Sequence, residues 1–166
     1  APRSSSHQAF FEQLDAGGNA SDKEVGSAFW KNALTGKDQL RLRMAYALSQ
    51  IFVISLEDGD VDNYDRAVAA WLDMLGTHAF GNYRDLLVAL AKNPAMIYWL
   101  DNCDNHGHAV NENWGRELLE LFSLGVGMDG QPNYTETDVR EASRAFTGWT
   151  IAQAPPRGYY NRWDWE

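Results

Sequence analysis

The sequence is poor in the features that fix a chain covalently or carry it to an anionic surface. Cys103 is the only cysteine among 166 residues, so no disulfide can form within the chain. Lys and Arg number 14 against 23 Asp and Glu, and the resulting net charge of −9 is repelled by nucleic-acid phosphates and anionic membranes. The most apolar stretch, residues 40–56, is interrupted by Arg41, Arg43 and Gln50 and is shorter than the roughly 20 residues of a membrane span. We therefore expect no nucleic-acid partner and no transmembrane segment.

The sequence does contain enough apolar residues for a core, and they recur at helical spacing. Hydrophobic residues make up 45% of the chain, and no segment alternates as a half-buried strand does. The pattern predicts an all-α array of about seven helices with short loops, in a single domain over residues 1–150 that an irregular aromatic tail follows over 151–166. After a short first helix over 7–14, the predicted helices cover about 21–34, 38–56, 64–75, 83–91, 94–100, 111–124 and 135–146.

Local signals set the ends of the last two helices. Asn111 is a capping residue for a helix that Gly125 ends, and either Thr135 or Thr137 can cap the next one. Residues 125–130 also spell G-x-G-x-x-G, but a dinucleotide site needs this loop between a strand and a helix N-terminus. Here the loop leaves a helix, so it predicts a helix stop and a turn.

An acidic loop carries the first of two weak metal motifs. Asp58, Asp60 and Asp62 alternate like the start of a calcium loop. An EF-hand then needs Gly at its sixth position and Glu at its twelfth, where this sequence has Asn63 and Ala69. The loop is therefore interpreted as solvated, with weak cation binding as the alternative.

The second weak metal motif is a loop that contains Cys103, His106 and His108. Thiolate and imidazole groups bind zinc, but structural zinc sites usually have four ligands, so Asp101 or Asp104 would have to complete the set. Solvated loop histidines are the ordinary alternative.

The most informative segment is NENWGRELLELFSLG, residues 111–125. At about 100° per residue, one arc of this helix is polar and the opposite arc is apolar. The polar arc comprises Glu112, Asn113, Arg116, Glu117 and Glu120, and the apolar arc comprises Trp114, Leu118, Leu119, Leu121 and Phe122.

Three interpretations of the polar arc stay open. Arg116 lies four residues from both Glu112 and Glu120, which fits a solvated face with i,i+4 ion pairs. The arc has no Lys, and Arg and Asn form directional hydrogen bonds, which favours a buried structural network. Glu117 and Glu120 lie three residues apart, so they can share a divalent metal or shift each other's pKa values as a catalytic pair does.

Several segments together resemble one bacterial family. They are NPAMIYWLDN at 93–102, NENWGRELLELFSLGVG at 111–127 and YTETDVREASRAFTGW at 134–149, with LRLRMAYALSQIFVIS at 40–55 and AFGNYRDLL at 79–87. Over residues 27–150 the chain is similar to the family known as domain of unknown function 1800. The resemblance implies a large, mostly helical protein, commonly exported to the periplasm or cell envelope, with no established activity. It also implies a neighbouring gene of the family numbered 1501, which resembles sulfatases.

The resemblance also marks signature positions, to which it assigns no role. They are Asp101, Asn111, Glu112, Asn113, Arg116, Glu117, Glu120, Tyr134, Thr135, Asp138, Val139, Thr147, Gly148 and Trp149. Cys103, His106 and His108 lie outside them. Family members continue past the Thr-Gly-Trp motif, so the resemblance implies a C-terminal part beyond the 17 residues that follow Trp149 here. The aromatic tail would pack on that part; a sugar-stacking platform is the alternative.

Two functional hypotheses follow. The favoured one is a structural or partner-binding component of a cell-envelope assembly, whose partners are other protein chains, the missing C-terminal part or a family 1501 sulfatase-like protein. Its structural polar network comprises Asp101, Asn111, Asn113, Arg116 and Trp149. The alternative is a hydrolase of exported polymers or esters, with a divalent metal at Glu117 and Glu120 as its candidate cofactor. Its candidate catalytic residues are Glu112, Glu117, Glu120 and Asp138.

Overall fold

The computed structural model describes residues 6–7, 9–10, 13, 22–55 and 65–149. Within these ranges the chain forms seven α-helices, one short 3₁₀ helix and one two-stranded ribbon, which confirms the all-α prediction. Every helix in these ranges falls short of the length and apolar character that crossing a membrane requires. The chain divides into two compact units, residues 1–95 and 96–166.

One helix, α3 (Asp65–His78), is the centre of the first unit and packs against three neighbours. The core of this unit consists of apolar side chains that are almost wholly buried, among them Val25, Phe52, Leu75 and Leu90. The helices are α1 (Asp22–Thr35), α2 (Gln39–Ser49), α3 (Asp65–His78) and α4 (Tyr83–Ala91), and α5 (Pro94–Trp99) follows. These bounds confirm the predicted helices to within a few residues, except at the end of α2.

Helix α2 ends at Ser49, several residues before the predicted end near residue 56. The hydroxyl of Ser49 donates to the carbonyl oxygen of Tyr46 at 2.7 Å, and the chain then makes i,i+3 turns through Gln50 and Ile51. Phe52 enters the core from this turn. Apolar residues keep their helical spacing through this turn. A prediction from periodicity alone therefore made the helix too long.

Two other predicted segments lie largely outside the described residues. Of the predicted helix over 7–14, the structure describes His7, Ala9, Phe10 and Gln13, all of which are helical. The acidic loop over 57–62 and the tail over 151–166 are not among the described residues.

The second unit is built on two helices that pack against each other, α6 (Asn113–Glu120) and α7 (Glu136–Ala145). Gly115 makes this approach possible, since a Cβ there would lie 2.9 Å from the Ser143 nitrogen and 3.0 Å from the Val139 oxygen. Trp114 and Phe122 are buried beside the pair. The elements are a 3₁₀ helix (Asn102–Asp104), α6 (Asn113–Glu120), β1 (Gly127–Met128), β2 (Gln131–Pro132) and α7 (Glu136–Ala145).

A tight hairpin joins α6 to α7. Helix α6 ends at Glu120, short of the predicted end at Leu124, and the chain turns before it reaches Gly125, which has a φ of 74°. Asp129 and Gly130 both have positive φ, 51° and 74°, as the two central residues of a type I′ turn require. The strands were not predicted because two residues are too short to show alternation. The Asp-Gly dipeptide was the available signal.

Candidate functional site

The start of α7 is fixed by a capping box that uses one of the candidate catalytic carboxylates. Asp138 accepts hydrogen bonds from the backbone nitrogen and the hydroxyl of Thr135, both at 2.8 Å, and its own nitrogen donates back at 3.2 Å. These bonds hold the pKa of Asp138 below its usual range. Thr135 is therefore the cap, and Asp138 stabilises the helix it begins.

Four charged side chains link α6 to α7, and we name Glu112, Arg116, Glu136 and Arg140 the charge quartet. Arg116 donates to both carboxylate oxygens of Glu136, at 2.7 and 3.1 Å, and to Glu112 at 3.2 Å. Glu112 also lies 3.6 Å from Arg140. The predicted Glu112–Arg116 pair is thus present, whereas the predicted Arg116–Glu120 pair is not formed between these two described residues.

Within the quartet, the bidentate pair favours the ionised forms of Arg116 and Glu136. The Glu136 carboxylate raises the pKa of Arg116 above its usual range, and the Arg116 guanidinium lowers the pKa of Glu136. The quartet has no net charge and its side chains are partly solvated. It is a surface network rather than the buried one that the absence of Lys favoured.

Glu120 is engaged by a tyrosine instead of Arg116. The Tyr134 hydroxyl donates to Glu120 at 2.6 Å, and this hydrogen bond raises the pKa of the phenol. Glu117 has no hydrogen-bond donor among the described residues. Burial and, second, the negative charge of Glu120 raise the pKa of Glu117, which Arg116 partly offsets. The two candidate metal ligands therefore have different environments.

The buried polar network is centred on Asn105, in the loop before α6, and not on the polar arc of α6 itself. Asn105 is only 1% exposed, and its side-chain nitrogen donates to Asn102 at 3.1 Å and to the carbonyl oxygen of Ser143 at 2.8 Å. Its side-chain oxygen accepts from the Asn111 backbone nitrogen at 3.0 Å. Asn102 in turn donates to the carbonyl oxygen of Phe146 at 3.4 Å. These bonds fix the loop that precedes α6 to the end of α7.

Three of the five predicted network residues continue this chain of hydrogen bonds. The side-chain oxygen of Asn111 accepts from the Asn113 nitrogen at 2.9 Å, but the N-cap residue is Glu112, one position after the predicted cap. The Asn113 side chain donates to Asp101 at 3.1 Å, and Asp101 has a left-handed φ of 54°. Arg116 belongs to the charge quartet. Trp149 is 42% exposed, and its backbone nitrogen donates to Phe146 at 3.4 Å.

The loop histidines do not form a metal site with their neighbours. His106 and His108 are exposed and their rings stack with centroids 5.6 Å apart, while Cys103 is half-buried. Within the described ranges, no three or more His, Cys, Asp or Glu side chains come together as metal ligands.

A cluster of Ser6, His7 and Asp73 in the first unit was not predicted. The Asp73 carboxylate accepts from the Ser6 hydroxyl and lies 2.8 Å from His7 Nδ1. In a nucleophilic triad the serine bonds to the imidazole, whereas here both groups bond to the carboxylate. The cluster therefore fastens Ser6 and His7 to α3.

Apolar side chains are exposed where α6 passes into the hairpin. Leu121 belongs to the predicted apolar arc, yet it is 61% exposed, and Met128 is 76% exposed. The backbone here is held by Asn133, whose side chain donates to the Leu124 and Gly125 carbonyl oxygens at 2.7 and 3.2 Å. The surface is thus exposed but fixed in shape.

These features define an all-α protein whose charge quartet and asparagine chain fasten one helix pair beside an exposed apolar surface. A family model described as protein of unknown function DUF1800 matches residues 4–164, and the chain belongs to this family. The match confirms the resemblance and extends it towards both ends of the sequence. No curated protein and no solved structure matches the chain.

Proposed function

We propose that this chain is a non-catalytic, partner-binding module of a cell-envelope assembly. The observation that carries the proposal is the exposed apolar surface at the end of α6. Leu121, Leu124, Val126 and Met128 lie within eight residues of one another and are each more than half exposed. Contiguous exposed apolar side chains mark interaction surfaces, and we infer that these four, which lie close in sequence, form one. Export of family members, which the resemblance implies, supports a place in the cell envelope.

The use of the candidate catalytic carboxylates supports a structural rather than a chemical role for the polar arc. Asp138 caps its own helix through Thr135, and Glu112 lies between two arginines. Glu120 accepts the hydrogen bond of Tyr134. A general acid or base needs a proton-transfer atom within hydrogen-bond reach of the substrate. Three of the four candidate catalytic residues already have protein partners.

The exposed surface is also ready to bind without prior ordering. The bonds from Asn133 to the backbone after α6 and the type I′ turn at Asp129 and Gly130 set its conformation. A preformed surface loses less conformational entropy on binding than a flexible loop does.

Site-specific photo-cross-linking tests the proposal. A photoreactive amino acid is placed at Leu124 in one variant and at Lys92, an exposed position at the end of α4, in a matched control. In cells that make the protein, we expect a discrete cross-linked product from position 124 that is lost when Leu121 and Met128 are replaced by Ser. The absence of any discrete product from positions 121, 124, 126 and 128 would overturn the proposal.

One observation favours the alternative of a hydrolase. Burial and the charge of Glu120 raise the pKa of Glu117, while Glu120 is hydrogen-bonded by Tyr134. Two neighbouring carboxylates in different environments can act as general acid and base. Turnover of ester or polysaccharide substrates that is lost in both Glu117→Gln and Glu120→Gln, and kept in Glu141→Gln, would support this alternative. Turnover that both single variants retain would exclude it.

A further inference from the structure

The exposed apolar residues at the end of α6 lie in an acidic stretch of the sequence. Residues 117–139 contain five Asp and Glu and no Lys or Arg. Glu117, Glu120 and Asp129 lie closest in sequence to the four exposed apolar residues. We name Leu121, Leu124, Val126 and Met128, with these three acidic residues, the acidic face. A segment that covers it would present apolar side chains next to Lys or Arg.

The first unit carries a surface of that kind on α1 and α2, which pack against each other. Residues 25–55 contain four Lys and Arg and one acidic residue, Asp38, which is buried and lies 3.8 Å from Arg41. The acidic residues of α1, Asp22 and Glu24, lie in its first turn. The exposed apolar side chains among them are large. We name Trp30, Leu34 and Leu40, which are 61%, 79% and 70% exposed, with the exposed Lys37 and Arg43, the basic face.

We propose that the acidic face binds the basic face of a second copy of this chain, so that copies associate head to tail. This inference rests on the proposed function and names the partner. The two faces match in character, since each combines exposed aliphatic side chains with charges of one sign and the signs are opposite. The net charge of −9 does not prevent the contact, because charges beyond about 8 Å are screened at physiological ionic strength.

A head-to-tail contact joins two different surfaces, and this property gives a sharp test. One variant, Leu34→Glu/Leu40→Glu, blocks the basic face, and the other, Leu121→Lys/Met128→Lys, blocks the acidic face. All four side chains are more than half exposed, so both variants are expected to fold, which circular dichroism checks. Val88→Glu on α4 is the matched control, because Val88 is exposed but belongs to neither face.

Sedimentation velocity over a range of concentrations at low and high salt gives the masses. We expect the parent and Val88→Glu to rise above the monomer mass of 18.7 kDa with concentration, less so at high salt, while each blocked variant stays at that mass. An equimolar mixture of the two blocked variants should form a species of twice 18.7 kDa and nothing larger, because each variant supplies one intact face.

Two results would overturn head-to-tail association. In the first, the parent remains a monomer at every concentration. The proposed partner-binding function is then tested separately, by the mass of the cross-linked products. In the second, the parent associates but the mixture of blocked variants stays monomeric, which means that other surfaces are in contact.

Discussion

Arg116 on α6 and Glu136 on α7 are joined by two hydrogen bonds, of 2.7 and 3.1 Å, in a bidentate pair. The planar guanidinium matches the two carboxylate oxygens, and a further bond to Glu112 ties the same side chain to its own helix. Because 20 residues separate Arg116 from Glu136, the pair stabilises the packing of two helices and not a single helix.

We expect Arg116→Ala to lower the melting temperature of the chain more than Arg144→Ala does. Among the described residues Arg144 pairs with Glu141 of its own helix, three residues away, and both groups are exposed. Arg116→Lys should fall between, because an ammonium cannot make the bidentate contact. Thermal unfolding followed by circular dichroism measures the three shifts. Equal melting temperatures for Arg116→Ala and Arg144→Ala would mean that the charge quartet does not hold the helix pair.

Gly115→Ala is expected to destabilise the second unit by about 1–3 kcal/mol, since a Cβ would collide with Ser143 and overpack the interface of α6 and α7. Gly26→Ala on α1 is the control, because nothing lies within 4 Å of a Cβ there. That control should stabilise the chain by up to about 1 kcal/mol through helix propensity. Urea unfolding gives both changes, and a stabilising Gly115→Ala would refute the close packing.

Asn105→Ala should be among the most destabilising substitutions in the second unit. It removes the acceptor of the Asn111 backbone nitrogen and one hydrogen bond each to the Ser143 carbonyl oxygen and the Asn102 side chain, and a buried donor left unpaired costs about 1–3 kcal/mol. Asn113→Ala, which removes one exposed hydrogen bond to Asp101, should cost much less. Urea unfolding of the two variants compares them, and similar losses would contradict the structural role of Asn105.

Glu117 and Asp138 are expected to affect stability with opposite signs as pH changes. The pKa of Glu117 is raised above 4.5, so its ionised form disfavours the folded state and stability falls as pH rises through the folded value. Glu117→Gln should therefore raise the melting temperature at neutral pH and have no effect well below pH 4.5.

The pKa of Asp138 is lowered below 3.8, so its stabilising effect is present above that pH and is lost as pH falls through the folded value. Asp138→Asn should lower the melting temperature at neutral pH and converge on the parent in acid. Melting curves recorded from neutral to acidic pH follow both variants. A neutral-pH loss in Glu117→Gln would show that its carboxylate is stabilised by a contact instead.

Local signals were enough to predict the elements that local chemistry controls. Helix α4 runs over Tyr83–Ala91 as predicted, and Asn82 caps it by accepting from the Arg84 nitrogen. Thr135 was one of two predicted caps, and the carboxylate three residues later decided between them. The Glu112–Arg116 pair follows from i,i+4 spacing alone.

Contacts between distant residues could not be predicted from the sequence in the same way. Asn105 donates a hydrogen bond to the Ser143 oxygen, 38 residues away, and Arg116 pairs with Glu136 instead of Glu120. Both choices depend on how α6 and α7 meet, which Gly115 permits but periodicity does not reveal. The polar arc was therefore recognised, while its partners were not.

If α6 has a structural role, Glu120 is held by Tyr134, and Glu117 and Glu120 do not hold a metal between them. Elemental mass spectrometry of the chain, purified without chelator beside a Glu117→Gln/Glu120→Gln variant, tests this claim most directly. We expect less than one metal ion per chain and the same content in the variant. One tightly held divalent ion per chain that disappears in the variant would contradict the claim and make α6 a metal site.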